Sequence, residues 1–364
     1  MGSRSRMKSG LAVLLCLLSA AASFAGGKGE KPAAAKGFVV GLSNGPFALS
    51  WRVEMLESLH AQFDFYREKG WARTLIVENA GPDVSIQIAQ IKDLIAHRVN
   101  LLLVNPNSPT ALNPVLAEAR DAGVLVIVQG EPVQPPDGAL NILVNQEWRE
   151  APLAEWLAAQ LGGTGNIVYI SGIADQPGTI ARDRAASAVL AKYPGIKVLA
   201  AAHGNCDQAA AQQVMTDLLG SFPDIDGVLT QDGMTLGIIR AFDAAGRKLP
   251  PVTGETQVAF IKEWKQRKEA SGFSTVAVEN SPGAICTSLG IGLRLLQGRK
   301  LKPEVLIDPA TGKPAPGAYT IWTRPSLQVD NSNINRIYGD YKDWADSYYV
   351  NSWYTEEQID ALFQ

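Results

Sequence analysis

The chain has 364 residues, 46% of them hydrophobic and 19% charged, with a formal net charge of −3. This composition is globular, and the length suits about two domains of ~150 residues, each large enough to bury its own core. No cluster of lysine and arginine stands out beyond the first ten residues, which argues against nucleic acid as a partner.

The N-terminus reads as an export signal. Arg4, Arg6 and Lys8 form a basic start, and Leu11 to Ala22 is an apolar stretch too short to span a bilayer comfortably. Ser23-Phe24-Ala25 puts small residues at −3 and −1, so residues 1–25 are expected to be a cleaved signal peptide and 26–36 a polar tether. Cleavage removes three positive charges and takes the net charge from −3 to −6. Cys16 is preceded only by Leu11 to Leu15, with Leu14 and Leu15 bulky where lipid attachment wants small residues. Acylation there is not expected. Cys206 and Cys286 remain, and two cysteines this far apart make no disulfide framework.

From Phe38 onward short β-branched runs alternate with longer amphipathic stretches. The pattern predicts strands over 38–42, 74–77, 101–104 and 124–128, separated by helices over 49–69, 84–97 and 111–122. Apolar runs without alternation suit a parallel sheet covered on both faces. The rhythm then restarts at 142–144, with helices over 148–161, 179–192, 208–219 and 234–245 between strands over 167–170, 198–201, 227–230 and 251–253. A helix over 258–268, a strand over 275–278, a helix over 283–296 and an extended run over 319–323 follow. The aromatic tail from Tyr338 ends in a helix capped by Thr355, with Gln358 three residues on. Strands alternating with helices give right-handed βαβ units, so the expected fold is α/β, with two doubly wound parallel-sheet lobes.

In open α/β sheets ligands bind beyond the carboxyl ends of the strands. The polar residues there are Asn44, Glu78, Asn79, Asn105, Gln129, Glu131 and Asn145 in the first lobe. The second lobe contributes Ser171, His203, Asn205, Asp232, Glu255, Glu279 and Asn280. Turns favour Asn, Asp and Gly anyway, but Glu and Gln are poor turn formers, and their presence points to a polar cleft. Carboxylates accept O–H bonds while amides both donate and accept, which suits a hydroxyl-rich molecule. Phe47 and Trp51, just after the first strand, can cover the apolar face of a sugar ring or pack in the core. No dinucleotide or phosphate-loop glycine pattern follows a strand, the three histidines lack metal-ligand spacing, and no nucleophile elbow is present. No cofactor, metal or catalytic residue is expected.

Leu42-Ser43-Asn44-Gly45-Pro46-Phe47, Asn105-Pro106-Asn107, Ile170-Ser171-Gly172 with Arg182-Asp183-Arg184, and Gln231-Asp232-Gly233-Met234 occur in an order and spacing that resembles the ribose-type (type I) periplasmic sugar-binding proteins. Trp51-Arg52 is similar to the Trp-Arg pair of their galactofuranose-binding relatives. The resemblance spans about Phe38 to Leu301. It implies first-lobe contacts at Asn44, Phe47, Trp51 and Arg52, and a second-lobe arginine at Arg184. It further implies polar contacts at Asp232, at Glu255 or Thr256, and at Asn280 or Glu279. The chain departs from the ribose pattern at Gln129-Gly130-Glu131, where an Asp-Arg pair is usual. Cys206 stands where an aromatic is usual, and Ala48 where a second stacking Phe is usual.

The family's three-crossover hinge would fall near 141–146, 278–281 and 319–323. This gives an N-terminal lobe of 37–142 plus 282–318 and a C-terminal lobe of 143–281 plus 319–364. The resemblance implies a monomeric periplasmic protein, peripheral to the membrane, that captures a sugar or polyol by hinge closure and passes it to the permease of an ABC transporter. The carboxylates Glu131, Asp232, Glu255 and Glu279 favour an amino-sugar or other cationic polyol. Two other classes fit the same lobes: a sugar or autoinducer receptor for chemotaxis or a sensor kinase, and a secreted carbohydrate-active enzyme.

Overall fold

A computed structural model describes residues 37–45, 50–130, 133, 139–309, 311–325 and 327–364. The predicted signal peptide and tether, with Cys16, lie outside them, as do Phe47, Ala48 and Glu131.

The first β-branched run forms β1 (Phe38–Asn44), followed by α1 (Ser50–Glu68), β2 (Ala72–Asn79), α2 (Val84–Ala96), β3 (Leu101–Asn105), α3 (Asn113–Asp121), β4 (Leu125–Gln129) and β5 (Leu140–Val144). These strands pair in parallel in the order β2-β1-β3-β4-β5. Both faces of the sheet are covered, which is why its strands read as unbroken apolar runs. Val40, Leu42, Leu103 and Ile127 face one core, and Val39, Leu102, Val104, Val126 and Val128 face the other.

The same strand order then recurs. It is built from α4 (Gln146–Gln160), β6 (Thr164–Ser171), α5 (Pro177–Leu190), β7 (Gly195–His203), α6 (Gln208–Ser221), β8 (Gly227–Thr230), α7 (Thr235–Ala244), β9 (Thr253–Glu255), α8 (Val258–Ser271) and β10 (Val276–Val278). Here the sheet is two three-stranded pieces, β7-β6-β8 and one containing β9 and β10, linked by a single parallel bridge from Val228 to Val252. Each half therefore reverses its strand order at a switch point, between β1 and β3 in the first and between β6 and β8 in the second.

The remaining chain crosses between the halves more often than the three-crossover expectation. Helix α9 (Ala284–Leu296) returns to the first half, where Ile285, Leu289, Ile291 and Leu293 join its core. Strands β11 (Ile307–Asp308), β12 (Lys313–Pro314) and β13 (Thr320–Thr323) extend the first sheet, with β13 parallel to β5. Residues 320–323 thus belong to the first sheet rather than the C-terminal lobe. Strand β14 (Gln328–Val329) then pairs antiparallel with β10, and α10 (Ile334–Tyr341) packs on α8 in the second half. The tail finally crosses back. Helix α11 (Glu356–Asp360), capped by Thr355 and Gln358, seats Ile359 in the first-half core, and Phe363 just after it joins the same core. That fourth crossing also differs from the expected boundary, which gave residues 319–364 wholly to the second lobe. It depends on long-range packing that no local pattern encodes.

Candidate functional site

The strand ends of the first half carry a chain of amides. Gln129 donates to the Asn105 side-chain oxygen (2.7 Å), Asn105 donates to Asn44 (3.0 Å), and Asn44 donates to Asn79 (3.0 Å). Each amide uses the carbonyl of the next, so Asn44, Asn105 and Gln129 are held in fixed orientations although all three are buried. Gln87, reaching in from α2, donates to the Asn105 backbone and accepts from Asn107 N–H, which fixes the loop after β3. Trp51 is partly buried at the start of α1, its indole N–H donating to the Asn280 carbonyl (2.7 Å), with the Arg52 guanidinium over its ring.

The opposing surface of the second half is charged. Asp232 sits on a single 3₁₀ turn after β8, and one of its oxygens lies 3.1 Å from both Arg149 on α4 and Arg182 on α5. Glu255, at the end of β9, is 3.5 Å from Arg149, and the Cys206 thiol donates to the second Asp232 oxygen (3.0 Å). All but Cys206 are buried. Burial alone would raise the Asp232 carboxyl, but Arg182 and Arg149 outweigh it and hold it at about 2. Glu255 moves the other way. Its desolvation outweighs the pull of Arg149, and the neighbouring Asp232 charge adds to the rise. Burial, followed by the Asp232 charge, pushes the Cys206 thiol up, so it stays a neutral donor.

Among the described residues, three of the five non-glycine residues with positive φ are Cys206 and Asp232 of this cluster and Asn205 beside Cys206. Non-glycine backbone in that region is costly and collects where a site needs it. Several buried polar atoms here also have no hydrogen-bond partner among the described residues: Arg149 Nε and Nη1, Arg182 Nε, Gln231 Oε1 and Glu255 Oε1. Such atoms are expensive in a finished core, and are expected where a ligand completes the bonding.

Three expected site residues have other placements. The Arg184 side chain is 72% exposed and pairs with Glu147 on the surface. The buried arginine is Arg182, because α5 turns Gly178, Arg182, Ala185, Ala186 and Val189 inward and position 184 lies on the far side of that helix. Asn145 caps α4, its side chain accepting from Glu147 and Trp148 N–H. Glu279 accepts from the Ser352 hydroxyl. Asn280 lends its backbone carbonyl to Trp51 while its side chain lies beside Glu255 in the cluster. Arg149 and Arg182 also remove the reason for expecting a cationic ligand, since they offset the acidic surplus. Arg149 could have been found from the four-residue helical spacing after Asn145, and Arg182 from the apolar stripe of its helix.

Two α/β halves of equal strand order, with a fixed amide row on one and a buried ion cluster on the other, define a solute-binding protein of the hinged two-lobe class. The chain belongs to the periplasmic binding protein domain family, whose model matches residues 40–299. It is 32% identical to a xylitol-binding protein of Mycolicibacterium smegmatis, over 66% of this chain and 68% of that one. It is 25% identical to the ribose import binding protein of Salmonella typhimurium, over 50% of this chain and 61% of the relative. The crystal structure of an ABC transporter solute-binding protein from Thermobispora bispora superposes with a TM-score of 0.72 at 27% identity, covering 89% of this chain and 94% of that one.

Among the described residues no helix is long and apolar enough to cross a membrane, and no group of side chains is placed to hold a metal ion.

Proposed function

We propose that this protein captures a small sugar or acyclic polyol outside the cytoplasm and presents it to the permease of an ABC importer, binding without turnover. The observation that carries the reading is the Asp232–Arg149–Arg182–Glu255 cluster at the second-half switch point, with its unspent donors and acceptors. Opposite it stands the row of amides at the first-half switch point. Hydroxyl groups match both. Each can donate to a carboxylate and accept from a guanidinium or amide, and neither surface needs a formal charge on the ligand. The named relatives, which bind xylitol and ribose, support a neutral polyhydroxylated solute.

A ligand that bridges both halves favours whichever arrangement makes both sets of contacts, so binding and hinge closure are one equilibrium. The test is a thermal-shift and calorimetric screen of the purified protein against pentoses, hexoses and their polyols. A ligand at about 100 times its dissociation constant adds ~2.7 kcal/mol of stability. Xylitol or another pentitol is expected among the hits. A protein that binds none of the panel, or that converts a member of it to product, would refute the proposal.

A further inference from the structure

The family match ends at residue 299, yet the tail beyond it returns to the ligand cleft. Residues 346–350 run along the start of α8, with Ala259 N–H donating to Asp346, Val258 N–H to Tyr348, and Val350 N–H to the Thr256 carbonyl. The same segment reaches α1 of the first half. Tyr349 N–H donates to Glu54 (2.9 Å), the Tyr348 hydroxyl to Glu57 (2.6 Å), and the Asn351 amide to Ser58 (2.8 Å). Asn351 then accepts from Ser281 and Gly283 at the crossover between β10 and α9. The segment is therefore pinned to both halves and to the hinge.

Its position brings the Tyr349 phenol beside the charged cluster. The phenol oxygen would lie 3.3 Å from a methyl group placed on Gly233, the neighbour of Asp232. Burial, followed by the charges of Glu255, Asp232 and Glu54, raises the phenol, so it remains a hydrogen-bond donor at any physiological pH. That hydroxyl has no hydrogen bond among the described residues. Around it, Glu255 Oε1 from β9 and Glu54 Oε1 from α1 are buried and unpartnered as well, each on a side chain at most 3% exposed. A phenol hydroxyl and two carboxylate oxygens unpartnered among the described residues, from three separate parts of the chain, thus lie within electrostatic reach of one another.

We infer that Tyr349 is a specificity-determining ligand contact, its hydroxyl donating to one hydroxyl of the bound polyol beside Asp232 and Glu255. This rests on the polyol-binding reading and extends the site to a segment outside the family region. The C-terminal segment then recognises the solute in addition to bracing the hinge.

The experiment compares wild type with Tyr349→Phe, which keeps the ring and the N–H to Glu54 but removes the phenol oxygen. Affinities are measured for a pentitol that the wild type binds and for its single-deoxy analogues. About tenfold weaker binding of the parent is expected, from the loss of one hydrogen bond. That loss should vanish for the one analogue lacking the partner hydroxyl. Gly233→Ala, which crowds the same oxygen, is expected to weaken the same ligands and serves if Tyr349→Phe does not fold. Unchanged affinity in both variants, or an equal loss across all analogues, would overturn the inference while leaving polyol binding intact. A wild type that binds no polyol would remove both.

Discussion

Asp232 faces Arg149 and Arg182 with one oxygen and Cys206 with the other, so one carboxylate is shared by two buried guanidinium groups. Asp232→Asn should therefore cost about 3 kcal/mol or more in a urea melt, because it leaves buried positive charge uncompensated. The same variant should lose ligand binding. The two arginines of α5 give a sharper contrast. Arg184→Ala removes an exposed pair and should change stability by under ~1 kcal/mol with no effect on affinity. Arg182→Ala should abolish binding, as isothermal calorimetry on both variants would show.

Buried acids set the pH response. Desolvation raises Glu150 from 4.5 to about 8 and Glu54 to about 7. A carboxyl whose folded value exceeds its unfolded value holds extra protons in the native state, so stability falls as pH rises between the two values. The melting temperature should drop from about pH 5 to about pH 8, and Glu150→Gln should flatten the slope. Asp232 and Asp360, both held low, act in the opposite sense and only at more acid pH.

At the scale of elements, helix packing tolerates little change. A Cβ on Gly237 of α7 would lie 1.9 Å from the Gln208 backbone oxygen of α6, and backbone cannot rotate away as a side chain can. Gly237→Ala should destabilise by about 3 kcal/mol, the upper range for overpacking, as denaturant titration would show. Most elements of this kind were legible in sequence. The strands over 101–105 and 125–129 announced themselves as apolar runs, and Thr355 with Gln358 announced the last helix through its capping box. The two-residue strands β11, β12 and β14 did not, since two residues carry no periodicity.

The candidate site was legible on the strand ends, where Asn44, Asn105, Gln129, Asp232 and Glu255 fall. Its helical arginines were less so, because their inward orientation depends on which face of α4 and α5 meets the sheet.

For the whole molecule, the tail couples the two halves in a way that strand order alone would not suggest. Ile359 and Phe363 are buried in the first-half core, and Arg294 reaches Glu356 and Asp360 from α9. Losing two such side chains costs about 1.5–3 kcal/mol each. A chain ending at residue 355 should accordingly lose about 3–6 kcal/mol, read as an earlier unfolding midpoint in urea. Two compact lobes could be anticipated from the repeating βα rhythm. The route of the last fifty residues could not, because β13, β14 and α11 find their partners far away in sequence.

Phe363 packs in the same core as Val40, although the two stand far apart in sequence. Closing that core therefore requires a contact of very long sequence separation, and the entropy of bringing such distant segments together must be met before the contact rewards it. The local βα units can form early, and the docking of the tail is expected to be the slow step of folding.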